Sequence, residues 1–401
     1  MKYSPDFKTI NKLEIYRQKT FAGILTRTLH GCSLSLVAEF IDNPTYQELT
    51  YCIPKTSKPL IHVGVNLPPF FAGLLPEGMR LKTLVSSLKT SSDDLFSLLV
   101  ATGRRCIGDI YVGSDINWPP NLEIPRASQI NFYEFFKKSI GLSPGLFENE
   151  AIAGIQEKIS ASMISLPVNI AKRNKAYILK LNPSDKPNLV QNEFACIKIA
   201  NLCGIRTNKA KLIYDKDKMP GLLIERFDRV EGEMIHQEDA CQFLDRYPAD
   251  KYRVSMREIS EKIGELATAP IIDNLKLIQL YAFSYLIGNG DLHAKNISLQ
   301  SDNQTGRVQI TPAYDLICTY VYKDRNMALK LEGRDNNIKR QNLILFGKRL
   351  GIPEIAIHSM ADKLLKDFKK NFKILHGIGG LTQKDNQLLS EMILKRCRDL
   401  S

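Results

Sequence analysis

The spacing of apolar and polar residues predicts a compact mixed α/β unit over residues 1–115. Apolar stretches typical of strands occupy 10–24, 32–40 and 48–53, and 108–113 has the pattern of a short closing strand. Between them, over 68–99, apolar residues recur at helical spacing. A proline-rich segment, 117–125, then predicts a boundary between domains.

The periodicity changes in the rest of the chain. Over 128–232 it predicts a helix at 132–140, a buried strand at 176–181, and a helix at 194–202 that ends at Gly204. Residues 233–401 are predicted to be mostly helical, beginning with 235–243. We therefore expect an α+β protein of three regions, 1–115, 128–232 and 233–401.

Composition excludes several classes of protein. The 401 residues are 44% hydrophobic and 24% charged, as in an ordinary globular protein. No apolar run approaches the ~20 residues of a membrane span, and the N-terminus lacks the apolar core of a secretory signal. Eight cysteines are scattered without a Cys-x-x-Cys pair, which argues against a zinc site or a disulfide framework. We expect a cytoplasmic protein that does not bind membranes.

The net charge of +12 permits attraction to nucleic acid or to acidic proteins. Much of it lies in 363–373, where the solvated face of an amphipathic helix explains the lysines. No helix-turn-helix, zinc finger or aromatic RNA-binding platform is visible. Charge alone therefore predicts no direct contact with nucleic acid.

A polar loop at 288–296 is the strongest indication of chemistry. It follows an apolar helical run and carries Asp291 and, five residues later, Asn296. A strand-like segment and a second aspartate, Asp315, come next. The Asp-x-x-x-x-Asn pattern alone is short, and a polar surface loop would explain it. The order of helix, loop, strand and aspartate favours the catalytic half of a protein kinase.

Phosphoryl transfer explains these residue types, because it depends on positioning and charge neutralisation. Asp291 is predicted to be the base that accepts the proton of the attacking hydroxyl. Asn296 and Asp315 are predicted to hold Mg²⁺, which prefers oxygen ligands, and Lys295 to screen the developing charge.

Two upstream segments fit the nucleotide half of the same site. Lys180 lies in a buried-looking strand, where a lysine needs a partner, and Glu193 opens a helical run thirteen residues later. We expect Lys180 to contact ATP phosphates and Glu193 to orient it, although a surface lysine and a first-turn glutamate would show the same local pattern. A phosphate-covering loop is predicted at Gly154, Ile155, Gln156, Glu157 and Lys158, where a plain hairpin is the alternative.

Eight short segments in this order resemble the HipA family of bacterial toxin kinases over nearly the whole chain. They are 74–78, 154–158, 178–180, 192–193, 225–229, 236–239, 289–296 and 312–315. The resemblance implies a two-lobed protein-kinase-like fold with an extra N-terminal mixed α/β subdomain, and ATP with Mg²⁺ as cofactors. It further implies a Ser/Thr kinase that phosphorylates an aminoacyl-tRNA synthetase and arrests growth. The implied partner is a HipB-like DNA-binding antitoxin, through which nucleic acid would be contacted only indirectly.

The sequence departs from the family at one place. Family members carry one or two serines before the loop glycine, where autophosphorylation switches the kinase off, but this chain has Ala151 and Ala153. Alanine has no hydroxyl to accept phosphate, so self-inactivation at this loop is in doubt. Natural drift and deliberate substitution of serine both explain the alanines.

Two other functions are compatible with the sequence. One is a pseudokinase that uses the fold to hold a partner, against which the intact Asp291, Asn296 and Asp315 argue. The other is a small-molecule kinase of similar fold. Turnover of Mg²⁺-ATP distinguishes the first, and a comparison of protein with sugar or aminoglycoside acceptors distinguishes the second.

Overall fold

The computed structural model describes most of the chain. The described residues are 9–64, 67–103, 106–113, 123–141, 164–170, 175–183, 186, 188–302 and 304–401. No helix within them combines the length and the apolar character needed to cross a membrane. The eight cysteines all lie in these ranges and form no disulfide bonds. The proposed domain link at 117–125 lies mostly outside the described residues, so the domain boundaries stay a prediction.

The N-terminal subdomain is built on a five-stranded antiparallel sheet. The strands of this region are β1 (Lys12–Arg17), β2 (Thr20–Thr28), β3 (Gly31–Leu36), β4 (Glu48–Thr50), β5 (Ile53–Pro54), β6 (Leu60–Val63) and β7 (Ile110–Val112). The large sheet has the order β6-β3-β2-β1-β7, and β4 pairs with β5. Leu13 and Ile15 alternate along β1 and are buried, as expected for a strand with one face on a core.

Four helices cover this sheet and complete its core. They are α1 (Ala38–Ile41), α2 (Pro69–Gly73), α3 (Gly78–Leu88) and α4 (Leu95–Thr102). Asp94 caps the N-terminus of α4 by accepting the Ser97 N–H at 3.3 Å. Phe70, Phe71 and Phe96 are fully or almost fully buried in the core that the helices share with the sheet. The predicted mixed α/β unit is therefore present.

The middle region holds a four-stranded antiparallel sheet and the helix that packs on it. Its elements are α5 (Phe132–Gly141), β8 (Ile164–Ile170), β9 (Lys175–Leu181), α6 (Leu189–Leu202), β10 (Ala210–Tyr214) and β11 (Pro220–Glu225), with the strand order β10-β11-β9-β8. A ribbon of β12 (Arg229–Val230) and β13 (Glu233–Met234) follows. Helix α6 begins five residues earlier than the predicted Phe194, so Glu193 lies inside the helix and not in its first turn.

The C-terminal region is mostly helical and is organised around one buried helix. Its helices are α7 (Ala240–Phe243), α8 (Met256–Leu266), α9 (Pro270–Ile287), α10 (Arg340–Arg349), α11 (Glu354–Asn371) and α12 (Gln383–Asp399). Twelve of the 18 residues of α9 are buried, which places this helix in the centre of the region. A three-stranded sheet contains β14 (His236–Asp239), β15 (Ser298–Ser301) and β16 (Val308–Ile310).

The expectation that the helical block begins at 235–243 is wrong in its first half. Residues His236–Asp239 form β14, which pairs antiparallel with β15, and helix α7 begins only at Ala240. The apolar spacing of so short a segment does not separate helix from strand, and pairing with β15 decides the outcome.

Several hydrogen bonds join the N-terminal subdomain to the C-terminal region. The Gln242 side chain donates to the Phe70 carbonyl at 3.1 Å. The hydroxyls of Tyr51 and Ser301 lie 2.6 Å apart, and the His62 ring lies 2.7 Å from the Tyr247 hydroxyl. These contacts place α2 and the β4–β5 hairpin next to α7 and β15.

Candidate functional site

Lys180 on β9 lies between two carboxylates. Its ammonium contacts Glu193 Oε1 at 2.7 Å and Oε2 at 2.9 Å, and it also contacts Asp315. Lys180 and Glu193 are buried, whereas the Asp315 side chain is 38% exposed. The structure therefore brings together three residues that the sequence analysis assigned to nucleotide and metal binding.

The electrostatics of this cluster follow from one cation facing two anions. Burial alone would lower the pKa of Lys180, but the charges of Asp315 and Glu193 raise it above its ordinary value. Burial raises the pKa of Glu193 even with Lys180 beside it. Lys180 therefore stays charged, and Asp315, the more exposed carboxylate, is the one that solvent and ligands reach.

Asn192 fastens the segment after Asp315 to the helix that carries Glu193. Its side-chain oxygen accepts the Cys318 N–H at 2.8 Å, and its NH₂ group donates to the Cys318 carbonyl at 3.0 Å. Asn192 is completely buried. Asp315 itself has φ 52°, a left-handed conformation that aspartate tolerates better than most residues. Such conformations persist where the surroundings fix them, and Asn192 supplies part of that restraint.

The loop that carries Asp291 begins where α9 ends. Gly288 closes the helix with φ 76°, the conformation that glycine adopts without steric cost. A Cβ atom at Gly290 would lie 2.5 Å from Asp324 Oδ2 and 2.6 Å from the Asn326 carbonyl, so this position has no room for a side chain. The Asn289 side chain then accepts the Asp291 N–H at 3.1 Å. These contacts fix the backbone on which Asp291 stands.

A hydrogen bond holds Asn296 to the backbone of Asp291. The Asn296 NH₂ group donates to the Asp291 carbonyl at 2.8 Å, which leaves the amide oxygen of Asn296 as a possible cation ligand. The Tyr252 hydroxyl donates to Asp291 Oδ1 at 2.8 Å. Burial and this hydrogen bond raise the pKa of Tyr252, so its hydroxyl remains a donor. Asp291 thus already accepts a hydrogen bond from a hydroxyl group.

Two hydrogen bonds join the Asp291 loop to the segment that contains Asp315. The Tyr314 hydroxyl donates to the Lys295 carbonyl at 2.8 Å. The Gly290 N–H donates to the Thr319 hydroxyl oxygen at 2.7 Å. Because Tyr314 and Thr319 flank Asp315, hydrogen bonds connect the loop of the predicted base with the segment of the predicted metal ligand.

The Lys295 ammonium points to the N-terminal subdomain. It lies 2.8 Å from Glu77 Oε1, 3.5 Å from Asp239 Oδ2 and 3.3 Å from the Gly73 carbonyl. The charges of Asp239 and Glu77 outweigh burial and raise the pKa of Lys295. Its predicted role in screening transferred charge stays a prediction, and the structure adds a role in binding two carboxylates.

The oxygen atoms of Asp315 and Asn296 fit Mg²⁺ better than a softer metal. Within the described residues there is no group of three or more His, Cys, Asp or Glu side chains that could hold a metal ion by itself. Mg²⁺ in nucleotide sites is commonly bound by one or two protein oxygens together with phosphates and water. The donor set is therefore compatible with Mg²⁺ that arrives with ATP.

Part of the predicted site cannot be placed. Gly154, Ile155, Gln156, Glu157 and Lys158 lie outside the described residues. The same holds for Ala151 and Ala153. The predictions for this loop therefore stay predictions.

Sequence reasoning missed three residues of this site. Tyr252 carried no motif that marked it, and Asn192 was marked only as part of the segment 192–193 of the family pattern, without a role. Glu77 belongs to the segment 74–78, which was singled out only as part of the family pattern and was given no role. The available signal for a partner such as Glu77 was the lysine at 295 itself, because a lysine within a polar loop next to a buried helix needs a counter-charge if it is buried.

Models of two protein families match this chain. The HipA-like C-terminal domain matches residues 151–372, and the HipA N-terminal domain matches residues 13–113. The first match alone covers more than half of the chain. The chain belongs to the HipA family.

Two individual relatives match most of the chain. The serine/threonine-protein kinase toxin HipA of Shewanella oneidensis is 25% identical over 326 residues, 74% of this chain and 74% of that protein. Y4mE of Sinorhizobium fredii, a candidate kinase, is 25% identical over 350 residues, 81% of this chain and 82% of that protein.

A solved structure shows the same fold. The Shewanella oneidensis complex of HipA, HipB and operator DNA contains a chain that matches this one with a TM-score of 0.69 at 20% identity, over 97% of both chains. The predicted α+β, kinase-like fold with an additional N-terminal subdomain is thereby confirmed.

Proposed function

We propose that this HipA-family protein is an ATP- and Mg²⁺-dependent kinase that phosphorylates serine or threonine hydroxyls of a protein. The observation that carries the proposal is that two groups of predicted site residues are joined by hydrogen bonds. In one group Lys180 lies between Glu193 and Asp315, and in the other Asp291 is bonded to Asn296. Hydrogen bonds from Tyr314 and Gly290 connect the groups.

Asp291 is the group best placed to act on an acceptor hydroxyl. Its Oδ1 accepts a hydrogen bond from the Tyr252 hydroxyl at 2.8 Å, which is the contact that a base needs with the hydroxyl it activates. The side chains of Asn289 and Asn296 form hydrogen bonds with the backbone of Asp291. These bonds fix the position from which the Asp291 side chain extends. An acceptor hydroxyl would replace Tyr252 at this oxygen and lose its proton to it.

Lys180, Asp315 and Asn296 form the nucleotide side of the proposed site. Lys180 would bind phosphate oxygens while Glu193 keeps the ammonium in place. Asp315 and Asn296 would hold Mg²⁺, which neutralises charge on the phosphates when it is bound. Asn192 holds the segment after Asp315 against α6, the helix that also carries Glu193.

The acceptor and the partners follow from the family. An aminoacyl-tRNA synthetase is the proposed substrate, with growth arrest as the consequence. A HipB-like antitoxin is the proposed partner, supported by the fold shared with a chain of the HipA, HipB and operator DNA complex. Contact with DNA would then pass through the antitoxin.

The test is transfer of labelled γ-phosphate from ATP to defined classes of acceptor. The purified chain is incubated with Mg²⁺ and ATP together with aminoacyl-tRNA synthetases, with sugars, with aminoglycosides, or without acceptor. We expect label on serine or threonine of a protein. Label on a sugar or an aminoglycoside alone would show a small-molecule kinase. No turnover with any acceptor would show a binding module.

A further inference from the structure

Glu77 forms ion pairs with two lysines that lie in different segments of the C-terminal region. Its Oε1 is 2.8 Å from Lys295 Nζ, and its Oε2 is 2.7 Å from Lys251 Nζ. Glu77 occupies the N-cap position of α3, but its side chain makes no capping hydrogen bond there. The carboxylate is therefore directed away from its own helix, toward the C-terminal region.

Both lysines belong to segments that contact Asp291. Lys295 is part of the loop that runs from Asp291 to Asn296. Lys251 directly precedes Tyr252, whose hydroxyl donates to Asp291 at 2.8 Å. The Ala294 N–H donates to the Lys251 carbonyl at 3.1 Å, so the two segments also touch through their backbones.

The ion pairs are partly shielded from water. The exposed fractions of the side chains are 14% for Lys295, 21% for Lys251 and 38% for Glu77. Burial alone would raise the pKa of Glu77, but Lys295 and Lys251 hold it at about 2. Glu77 is therefore ionised at neutral pH and is paired with both cations.

We propose that Glu77 is a positioning residue for phosphoryl transfer, through which the N-terminal subdomain fixes the two segments that flank Asp291. This inference rests on the proposed kinase function. The subdomain then contributes to the chemistry itself, because one carboxylate from it orders the Asp291 loop through Lys295 and the Tyr252 contact through Lys251.

Contacts other than those of Glu77 also hold the subdomain in place. Three hydrogen bonds lie elsewhere on the same interface. They join Tyr51 to Ser301, Gln242 to Phe70 and His62 to Tyr247. Loss of the Glu77 charge should therefore loosen the loop while the subdomain stays attached. This separates a positioning role from a general structural one.

The first experiment compares Glu77→Gln and Glu77→Asp with the unchanged protein. The glutamine keeps the shape but removes the charge, and the aspartate keeps the charge on a shorter side chain. We expect kcat to fall about tenfold in Glu77→Gln, with KM for ATP changed less than about twofold. Glu77→Asp should recover part of kcat. Equal kcat in all three proteins would overturn the proposal.

The matched control is Asp94→Asn. Asp94 pairs with Arg27 at 3.1 Å inside the same subdomain and caps α4, and within the described part of the chain none of its hydrogen bonds or ion pairs reaches the Asp291 loop. This variant should lose stability but keep kcat when each protein is assayed well below its unfolding temperature. If Asp94→Asn lowers kcat as much as Glu77→Gln, the effect is general loosening and the proposal fails.

A second readout does not depend on enzymatic activity. Mass spectrometry after brief treatment with an amine-acylating reagent reports how accessible each lysine is. Modification of Lys295 and Lys251 should increase severalfold in Glu77→Gln and stay unchanged in Asp94→Asn. Unchanged modification of both lysines in Glu77→Gln would contradict the positioning role. If the unchanged protein transfers no phosphate, the proposed function fails, while this measurement still tests the contact.

Discussion

Two lysines of this protein occupy similar surroundings but join different parts of it. Lys180 lies between Glu193 and Asp315, and Lys295 lies between Glu77 and Asp239. In both cases one ammonium faces two carboxylates, and these carboxylates outweigh burial and raise the lysine pKa. The chemistry of the two clusters is the same, so their difference lies in which segments they connect.

The Lys180 cluster connects elements of the kinase-like core, whereas the Lys295 cluster reaches outside it. Glu193 and Asp315 come from α6 and from the segment after β16. Glu77, by contrast, belongs to the N-terminal subdomain. The first cluster therefore belongs to the proposed nucleotide side of the site, whereas the second ties the Asp291 loop to the additional subdomain.

The largest expected effect is that of Lys180→Met on stability. It leaves Glu193 buried without its cation, and loss of one partner of a buried ion pair costs about 3–5 kcal/mol. The equivalent change Lys295→Met should cost less, because Glu77 retains Lys251. Urea unfolding of both variants measures the difference. Equal losses of stability in the two variants would contradict this difference between the clusters.

The pH dependence of the unfolding free energy of Lys180→Met provides a more specific test. Burial already raises the folded-state pKa of Glu193, and removal of Lys180 raises it further. A carboxyl whose pKa is raised on folding lowers stability as pH increases above its unfolded value of about 4.3. Below about pH 7, the folded-state pKa of Glu193 in the unchanged protein, both proteins lose stability alike, so the deficit of the variant should grow as pH rises above 7. The double change Lys180→Met/Glu193→Gln should remove this pH dependence without restoring phosphate transfer.

A smaller effect is expected on the Mg²⁺ dependence of ATP binding, for which Asp315 should be needed and Asp239 should not. Asp315→Ala and Asn296→Ala should weaken Mg²⁺-dependent ATP binding by about tenfold or more, because ligand oxygens are lost. Asp239→Asn keeps a side chain that caps α7 well and should leave the metal dependence unchanged. ATP titrations with and without Mg²⁺ provide the measurement. Unchanged metal dependence in both Asp315→Ala and Asn296→Ala would place the metal elsewhere.

The smallest effect is expected at a third charged cluster, which joins the same two regions as Lys295 but lies apart from the Asp291 loop. The two ring nitrogens of His236 lie 2.6 Å from Asp109 and 2.8 Å from Glu238. Burial alone would lower the pKa of His236, but Asp109 and Glu238 raise it. A histidine with a raised pKa stabilises the fold fully below about pH 6.5 and loses this contribution as pH rises through its folded-state pKa.

His236→Gln should therefore flatten the pH dependence of unfolding above pH 6.5, with a loss of about 1 kcal/mol at lower pH. Urea unfolding at several pH values measures it. A slope that is identical in His236→Gln and the unchanged protein would show that His236 does not carry this dependence.

The sequence predicted the pairing of Lys180 with Glu193 and singled out Asp315, because each of these residues had its own local signal. A lysine in an apolar strand needs a counter-charge, and Glu193 and Asp315 fell in segments with the expected order. Asp291 and Asn296 were predicted from their spacing in a single loop. Local patterns are sufficient when the residues of a site lie on short, recognisable segments.

The Lys295 cluster could not be predicted in the same way. Its contact with Glu77 depends on how the N-terminal subdomain packs on α7, and no periodicity or spacing encodes that packing. The same reason explains β14, which becomes a strand through pairing with β15 although its sequence was assigned to a helical block. Tyr252 reaches Asp291 across the fold, and no local pattern marks it.

The most direct test of Asp291 as the base is the effect of Asp291→Asn on phosphate transfer and nucleotide binding, measured on the same protein samples. The asparagine keeps the shape of the side chain but does not accept the proton of a hydroxyl. We predict that transfer of labelled γ-phosphate to protein falls by ~10² or more. ATP affinity should change little, because Lys180, Asp315 and Asn296 are intact. Near-normal phosphate transfer by Asp291→Asn would contradict the central claim that Asp291 is the base of a kinase site.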